Sequence, residues 1–217
     1  MQSTYITFIV GMIAILNPIG NTAIYIGMTS GMKRKTQNKC AIHCAFAVTT
    51  ILLFSLWFGQ PLLSLFGITV GAFGSAGGLI VLLIAINMLR GQPHRPGYHT
   101  HVEEKTSLKS PAKPMSIKHQ IAVVPLAIPI IAGPGAISKV IYQSYAFPSL
   151  QDKAMDSLFL IILSCIIGVI LYFAPLIGKA LGEYGMKVVT RVMGLILAAI
   201  AMQMLCSNLI KLLPGLA

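Results

Sequence analysis

The sequence predicts an all-α membrane protein: six transmembrane helices forming two inverted three-helix repeats, with helices 1 and 4 broken at mid-membrane. Three observations predict it. Of the 217 residues, 56% are hydrophobic and only 10% charged, whereas a soluble domain is about 25% charged. Six apolar stretches are each long enough to supply the roughly 20 residues that cross a hydrocarbon core of about 30 Å. Prolines interrupt the first and fourth stretches near their middles.

The spans run about Thr4–Met28, Cys40–Gln60, Ile68–Leu89, Gln120–Ala146, Ser157–Ile177 and Val188–Leu209. No Lys or Arg precedes Lys33 and no small-residue cleavage site follows the first run, so that span is expected to stay in the mature protein rather than act as a secretory signal. Lys33, Arg34, Lys35 and Lys39 follow span one. Arg90, Arg95, Lys105, Lys109, Lys113 and Lys118 follow span three, and Lys179, Lys187 and Arg191 follow span five. These loops hold thirteen of the sixteen Lys+Arg. By the positive-inside rule they are cytoplasmic, with both termini facing out. The net charge of +11 reflects scarce acid, five Asp+Glu, and is a topological signal; no nucleic-acid partner is expected.

The division is therefore 1–90, a first three-helix repeat; 91–118, a basic cytoplasmic loop with four prolines; and 119–217, a second, inverted repeat. His94, His99 and His101 lie in the loop, where nothing fixes a metal-binding geometry. Cys40, Cys44, Cys165 and Cys206 sit in apolar stretches without CxxC spacing and are expected to be free buried thiols. No metal and no cofactor is expected.

An offset of 116 residues sets Pro18 on Pro134, Gly78 on Gly194, Ile84-Ala85 on Ile200-Ala201, and Asn87-Met88-Leu89 on Gln203-Met204-Leu205. Three spans per half are an odd number, so the second half enters the membrane in the opposite sense. Secondary transporters are built this way, with substrate sites near the midplane where the repeats meet.

Span one carries Asn17-Pro18-Ile19-Gly20-Asn21-Thr22, and span four carries Pro125, Pro129 and Gly133-Pro134-Gly135-Ala136-Ile137-Ser138. A proline inside a helix removes a hydrogen bond and clashes with the carbonyl four residues back. Freed backbone groups in hydrocarbon must then face protein, water or a ligand. Unwound N–H groups and helix N-termini suit a carboxylate, and freed carbonyls suit an ammonium group or a cation. The expected substrate-binding set is Asn17, Pro18, Gly20, Asn21, Thr22, Gly133, Pro134, Gly135, Ala136 and Ser138. A competing view takes the prolines as kinks whose freed groups neighbouring protein satisfies. No Asp or Glu is expected at the centre of a span. Lys139 in span four is a functional candidate as an intramembrane charge or a snorkelling side chain. His43 near the end of span two is a proton relay or a packed, hydrogen-bonded group. Gly74 and Gly78 make a small-residue face for close helix packing. Ser138 has no convincing His or Asp partner, and no ATP-binding motif is present, so an enzyme is not expected.

Leu16-Asn17-Pro18-Ile19-Gly20-Asn21, Val124-Pro125-Leu126-Ala127-Ile128-Pro129, Ala132 to Ser138, Ala76-Gly77-Gly78 and Arg191-Val192-Met193-Gly194-Leu195 resemble the signatures of the MarC family of bacterial inner-membrane proteins. Within it the chain is similar to the uncharacterised UPF0056-like branch. Gly74-Ser75 stand where the family often has an arginine before Ala-Gly-Gly; its apparent repeat counterpart, Arg191, is present. The resemblance implies six spans, an inner-membrane location and, as attributed to a similar group, transport of small neutral amino acids.

The function expected is secondary transport of a small polar solute, a neutral amino acid foremost, with the lipid bilayer as surroundings. The coupling ion, H+ or Na+, and the oligomeric state stay open. The alternatives are a passive channel and a non-transporting membrane partner recruited through the basic loop.

Overall fold

The computed structural model describes residues 2–29, 31–90 and 131–212, which are helical apart from short turns. The helices are α1 (Gln2–Leu16), α2 (Pro18–Thr29), α3 (Arg34–Leu65), α4 (Val70–Leu89) and α5 (Pro134–Ala146), then a run from Leu150 to Leu212. That run bends at Gly182 into α6 (Leu150–Gly182) and α7 (Tyr184–Ile210). Gly182 adopts φ 63 and ψ −178, a conformation that only glycine takes readily.

Among the described residues, five stretches are long and apolar enough to cross a membrane: Tyr5–Thr22, Arg34–Leu65, Val70–Leu89, Leu150–Gly182 and Tyr184–Ile210. They correspond to expected spans one, two, three, five and six. Spans two and five are longer than expected, starting at Arg34 and Leu150 instead of Cys40 and Ser157. Both extensions carry charged residues that interrupt the apolar run without interrupting the helix. Ser149 caps α6: its hydroxyl accepts from the Asp152 N–H at 3.1 Å and donates to the Asp152 carboxylate at 2.6 Å, a reciprocal cap that starts the helix in polar surroundings. Of span four, α5 is the second half. Its residues 120–130, the 91–118 loop with its histidines, and Pro125 and Pro129 lie outside the described residues.

Contacts order the bundle. At one end the Tyr5 hydroxyl donates to Asp152, and Trp57 Nε1 donates to Ser157 Oγ at 3.1 Å. The start of α1, the end of α3 and the start of α6 therefore meet there. At the other end Tyr25 donates to the Gln37 carbonyl, and Arg34 donates to the Tyr172 carbonyl at 3.0 Å. The main core joins Phe8, Met12 and Leu16 of α1, Val48, Leu52 and Leu56 of α3, and Leu160, Leu163, Ile167 and Leu171 of α6, each set at helical spacing. A second cluster joins Val81, Ala85 and Met88 of α4 to Leu197 and Ala201 of α7, and Ile15 packs against both clusters. Phe46, Phe54, Leu83, Val169 and Leu195 are exposed, whereas Ser55, Gln143, Asp156, Ser164 and Asn208 are buried. An apolar exterior around a partly polar interior is the arrangement that lipid favours. Cys40 and Cys44 are buried, but Cys165 and Cys206 are exposed, because their positions turn to the outer face of α6 and α7.

The α4–α7 crossing is self-complementary. A Cβ on Gly78 would stand 3.1 Å from the Ala201 carbonyl oxygen, and one on Gly194 would stand 3.2 Å from the Ala85 carbonyl oxygen. The offset of 116 carries Gly78 to Gly194 and Ala85 to Ala201, so the two contacts interchange, as across a two-fold axis. Only glycine allows backbones to approach so closely.

Candidate functional site

The site is built from two proline breaks. Asn17 lies between α1 and α2 with φ 41, the one non-glycine residue at positive φ among those described; asparagine tolerates this region better than most residues. The ladder passes through it: its N–H donates to the Ile13 carbonyl and its carbonyl accepts from the Asn21 N–H, both at 3.0 Å. What changes is the next pair. The Gly20 N–H turns from the Leu16 carbonyl, four residues back, to Asn17 Oδ1 at 3.0 Å. Asn21 Nδ2 then supplies the Leu16 carbonyl at 2.7 Å. Two amides thus exchange partners across the break. Gly20 makes room for this, since a Cβ there would stand 2.3 Å from Asn17 Nδ2. Among the described residues, Asn17 Nδ2 donates to the Met88 sulfur at 3.5 Å, a weak acceptor.

At the second break Pro134 opens α5, with Gly133 as its cap residue and no side chain capping it. The Ile137 N–H donates to the Gly133 carbonyl at 3.1 Å. The Gly135 and Ala136 N–H groups come before that bond, in the turn where a helix has no internal acceptors. Beyond each proline the pattern repeats. Thr22 Oγ1 donates to the Pro18 carbonyl at 3.0 Å and Ser138 Oγ to the Pro134 carbonyl at 2.7 Å. The offset of 116 relates those hydroxyls, and both residues are buried.

The breaks lie close together. A Cβ on Gly135 would stand 2.0 Å from Val81 Cγ2 of α4 and 3.6 Å from Ile15 Cγ2, in the last turn of α1. Leu16, Ile131, Ala132 and Ala136 share the main core. Of the expected set, Asn17, Pro18, Gly20, Asn21, Thr22, Gly135, Ala136 and Ser138 are buried, Gly133 is half-buried and Pro134 exposed. The hydrogen bonds of Asn17 Oδ1, Asn21 Nδ2 and Thr22 are made within the first broken helix itself, whereas the Ser138 hydroxyl also reaches the Phe73 carbonyl of α4 at 3.3 Å.

The other candidates separate. Lys139 is partly buried on α5, its Cε 3.6 Å from where a Cβ on Gly11 would stand. His43 is exposed and bonds the Lys39 carbonyl through Nδ1 at 2.6 Å. Arg191 is exposed. Asp156, near the start of α6 and away from the centre of the span, is a buried acid that the shorter expected span left outside: it is 1% exposed, six residues into α6. Its signal was spacing, because Asp156 shares a stripe with Leu160, Leu163, Ile167, Leu171 and Ala174, all buried. Gln143, Ser144 and Asn208 are further buried polar residues outside the expected set.

Residues 2–213 match the family model described as MarC family integral membrane protein. The chain belongs to the MarC family. A UPF0056 membrane protein of Buchnera aphidicola is 35% identical over 99% of this chain and 95% of its own length. The UPF0056 membrane proteins YhcE of Escherichia coli and YvbG of Bacillus subtilis are 31% and 32% identical, covering 98% and 100% of this MarC chain and 94% and 99% of their own lengths. No solved structure matches the chain. This MarC protein is accordingly an integral membrane protein of several apolar helices.

Proposed function

We propose that this MarC protein is a secondary transporter of small neutral amino acids and not an enzyme, with its substrate site where the Pro18 and Pro134 breaks meet. The supporting observation is the matched pair: two helices opened by proline, each with a buried hydroxyl returned to the proline carbonyl, packed into one region. In this reading the Gly135 and Ala136 N–H groups, at the positive end of α5, hold a carboxylate. The Ala14 carbonyl, whose donor four residues on is proline, offers an acceptor to an ammonium group. Asn17 Nδ2, whose partner among the described residues is a thioether, turns to the solute. The interchanging glycines of α4 and α7 support two inverted three-helix repeats, the architecture that alternates access about a midplane site. The basic loops are cytoplasmic and both termini face out, in an inner membrane.

Purified protein in liposomes, given labelled glycine, alanine, serine or threonine, tests the assignment. Saturable uptake is expected, reduced at least tenfold in Gly135→Ala, whose methyl group lands on Val81, and recovered in Gly135→Ala/Val81→Ala. Non-saturating flux would make the protein a channel, and no flux of any of the four would remove the amino acid assignment.

A further inference from the structure

The proline breaks leave one buried acid unexplained. Asp156 lies on the core face of α6, and the Gln143 amide of α5 is the side chain that faces it. Neither Gln143 Nε2 nor Asp156 Oδ2 completes a hydrogen bond, and the neighbouring Ser144 hydroxyl, 1% exposed, has no partner either. The titratable groups around Asp156 are Tyr5 from α1 and Asp152 one turn earlier on α6. Neither is a cation. Lys153 is drawn over the Trp57 ring of α3, 6.0 Å from its centroid, and Lys139 lies against Gly11 of α1. A carboxylate with no cation and an incomplete set of donors is poorly tolerated in an apolar interior. A sodium ion would need five or six oxygen ligands, and the side chains that neighbour Asp156, Gln143 and Ser144, add two oxygens. A proton needs one oxygen, and Asp156 Oδ2 is open.

We propose that Asp156, with Gln143 and Ser144, forms a proton-binding site that sets the seating of α5. The proton comes from hydronium at the bundle end where Tyr5 and Asp152 meet, forms the O–H bond at Asp156 Oδ2 and leaves water behind; on release it returns to water. The protonated carboxyl donates to Gln143 Oε1, whereas the ionised one accepts from Gln143 Nε2, so the amide must turn and α5 must follow it. α5 is 13 residues long and begins at Gly133-Pro134. A change at Gln143 is therefore carried about 11–12 Å, at 1.5 Å per residue, to the Gly135 and Ala136 N–H groups. Its link to solute movement rests on the transport function proposed above; proton binding does not.

Trp57, the single tryptophan, bonds Ser157 next to the acid and reports on it without any solute. In the purified full chain, tryptophan emission should follow a one-proton titration. That titration should be lost in Asp156→Asn, kept in Asp152→Asn and moved in midpoint in Gln143→Leu, which retains the carboxyl if Asp156→Asn fails to fold. Infrared difference spectra should show a carboxylic acid carbonyl band that Asp156→Asn removes. An unchanged titration in Asp156→Asn, or wild-type protein with neither titration nor band, overturns the site. In liposomes, Asp156→Asn should keep exchange of labelled alanine but lose its acceleration by a proton gradient. Retained acceleration overturns the coupling. Titration without any transport overturns the transport function and leaves the proton site standing.

Discussion

The two proline breaks share a skeleton and differ in how they are completed. Each has proline at the first helical position and a hydroxyl four residues on that bonds the proline carbonyl. At Pro18 two asparagine amides re-bond the displaced Gly20 N–H and Leu16 carbonyl. At Pro134 glycine replaces the asparagine, and no side chain caps the helix. The first break is thus closed by its own side chains and the second is left open. Side-chain chemistry thus fixes the shape of one break, while the other leaves the first-turn N–H groups of α5 without a side-chain cap, the feature on which the proposed anion site rests.

Asn17→Leu attacks the closed break hardest. It places a branched side chain at positive φ, costing about 1–2 kcal/mol, and strands the Gly20 N–H, about 1–3 kcal/mol more. Thermal unfolding in detergent should show a loss of about 2–5 kcal/mol, with Asn17→Gly recovering the backbone share. The φ of 41 and the amide exchange are the reasons that this substitution reaches the fold as well as the site. Gly20→Ala comes next, since its methyl group would collide with the Asn17 amide 2.3 Å away; a loss of about 1–3 kcal/mol is expected. In the Asn17→Gly/Gly20→Ala double variant the two effects should fall short of additive, and strict additivity would mean that the amide is not what the methyl group displaces. At the open break Gly135→Ala should cost a similar or smaller amount of stability and a larger share of transport. Equal losses of both would erase the proposed difference between the breaks. The smallest effects belong to the shared skeleton. Thr22→Val and Ser138→Ala should each cost about 0.5–1.5 kcal/mol, and matched values would confirm that the hydroxyls are equivalent.

Much of this was legible in the sequence, because proline position and apolar run length state directly where backbone bonds are lost and which stretches suit lipid. Which groups repair the loss was not. That Asn17 and Asn21 serve Gly20 and Leu16 follows from a φ angle that the sequence does not announce. That Gly135 abuts Val81 joins residues 54 positions apart. Asp156 was hidden for a simpler reason. Asp152 and Lys153 end the apolar run, so the span seemed to begin at Ser157, whereas the Ser149–Asp152 cap starts the helix earlier and turns Asp156 inward.

The interchanging contacts of Gly78 with Ala201 and Gly194 with Ala85 bear on ancestry. A surface that meets its own equivalent is one that two copies of a shorter polypeptide could have used before they were fused. Gene duplication would then have frozen a dimer into one chain, and the basic loop would be the seam. Cut within that loop, the two halves made as separate polypeptides should still find each other in the membrane and co-purify, and halves that ignore each other would argue against such a history.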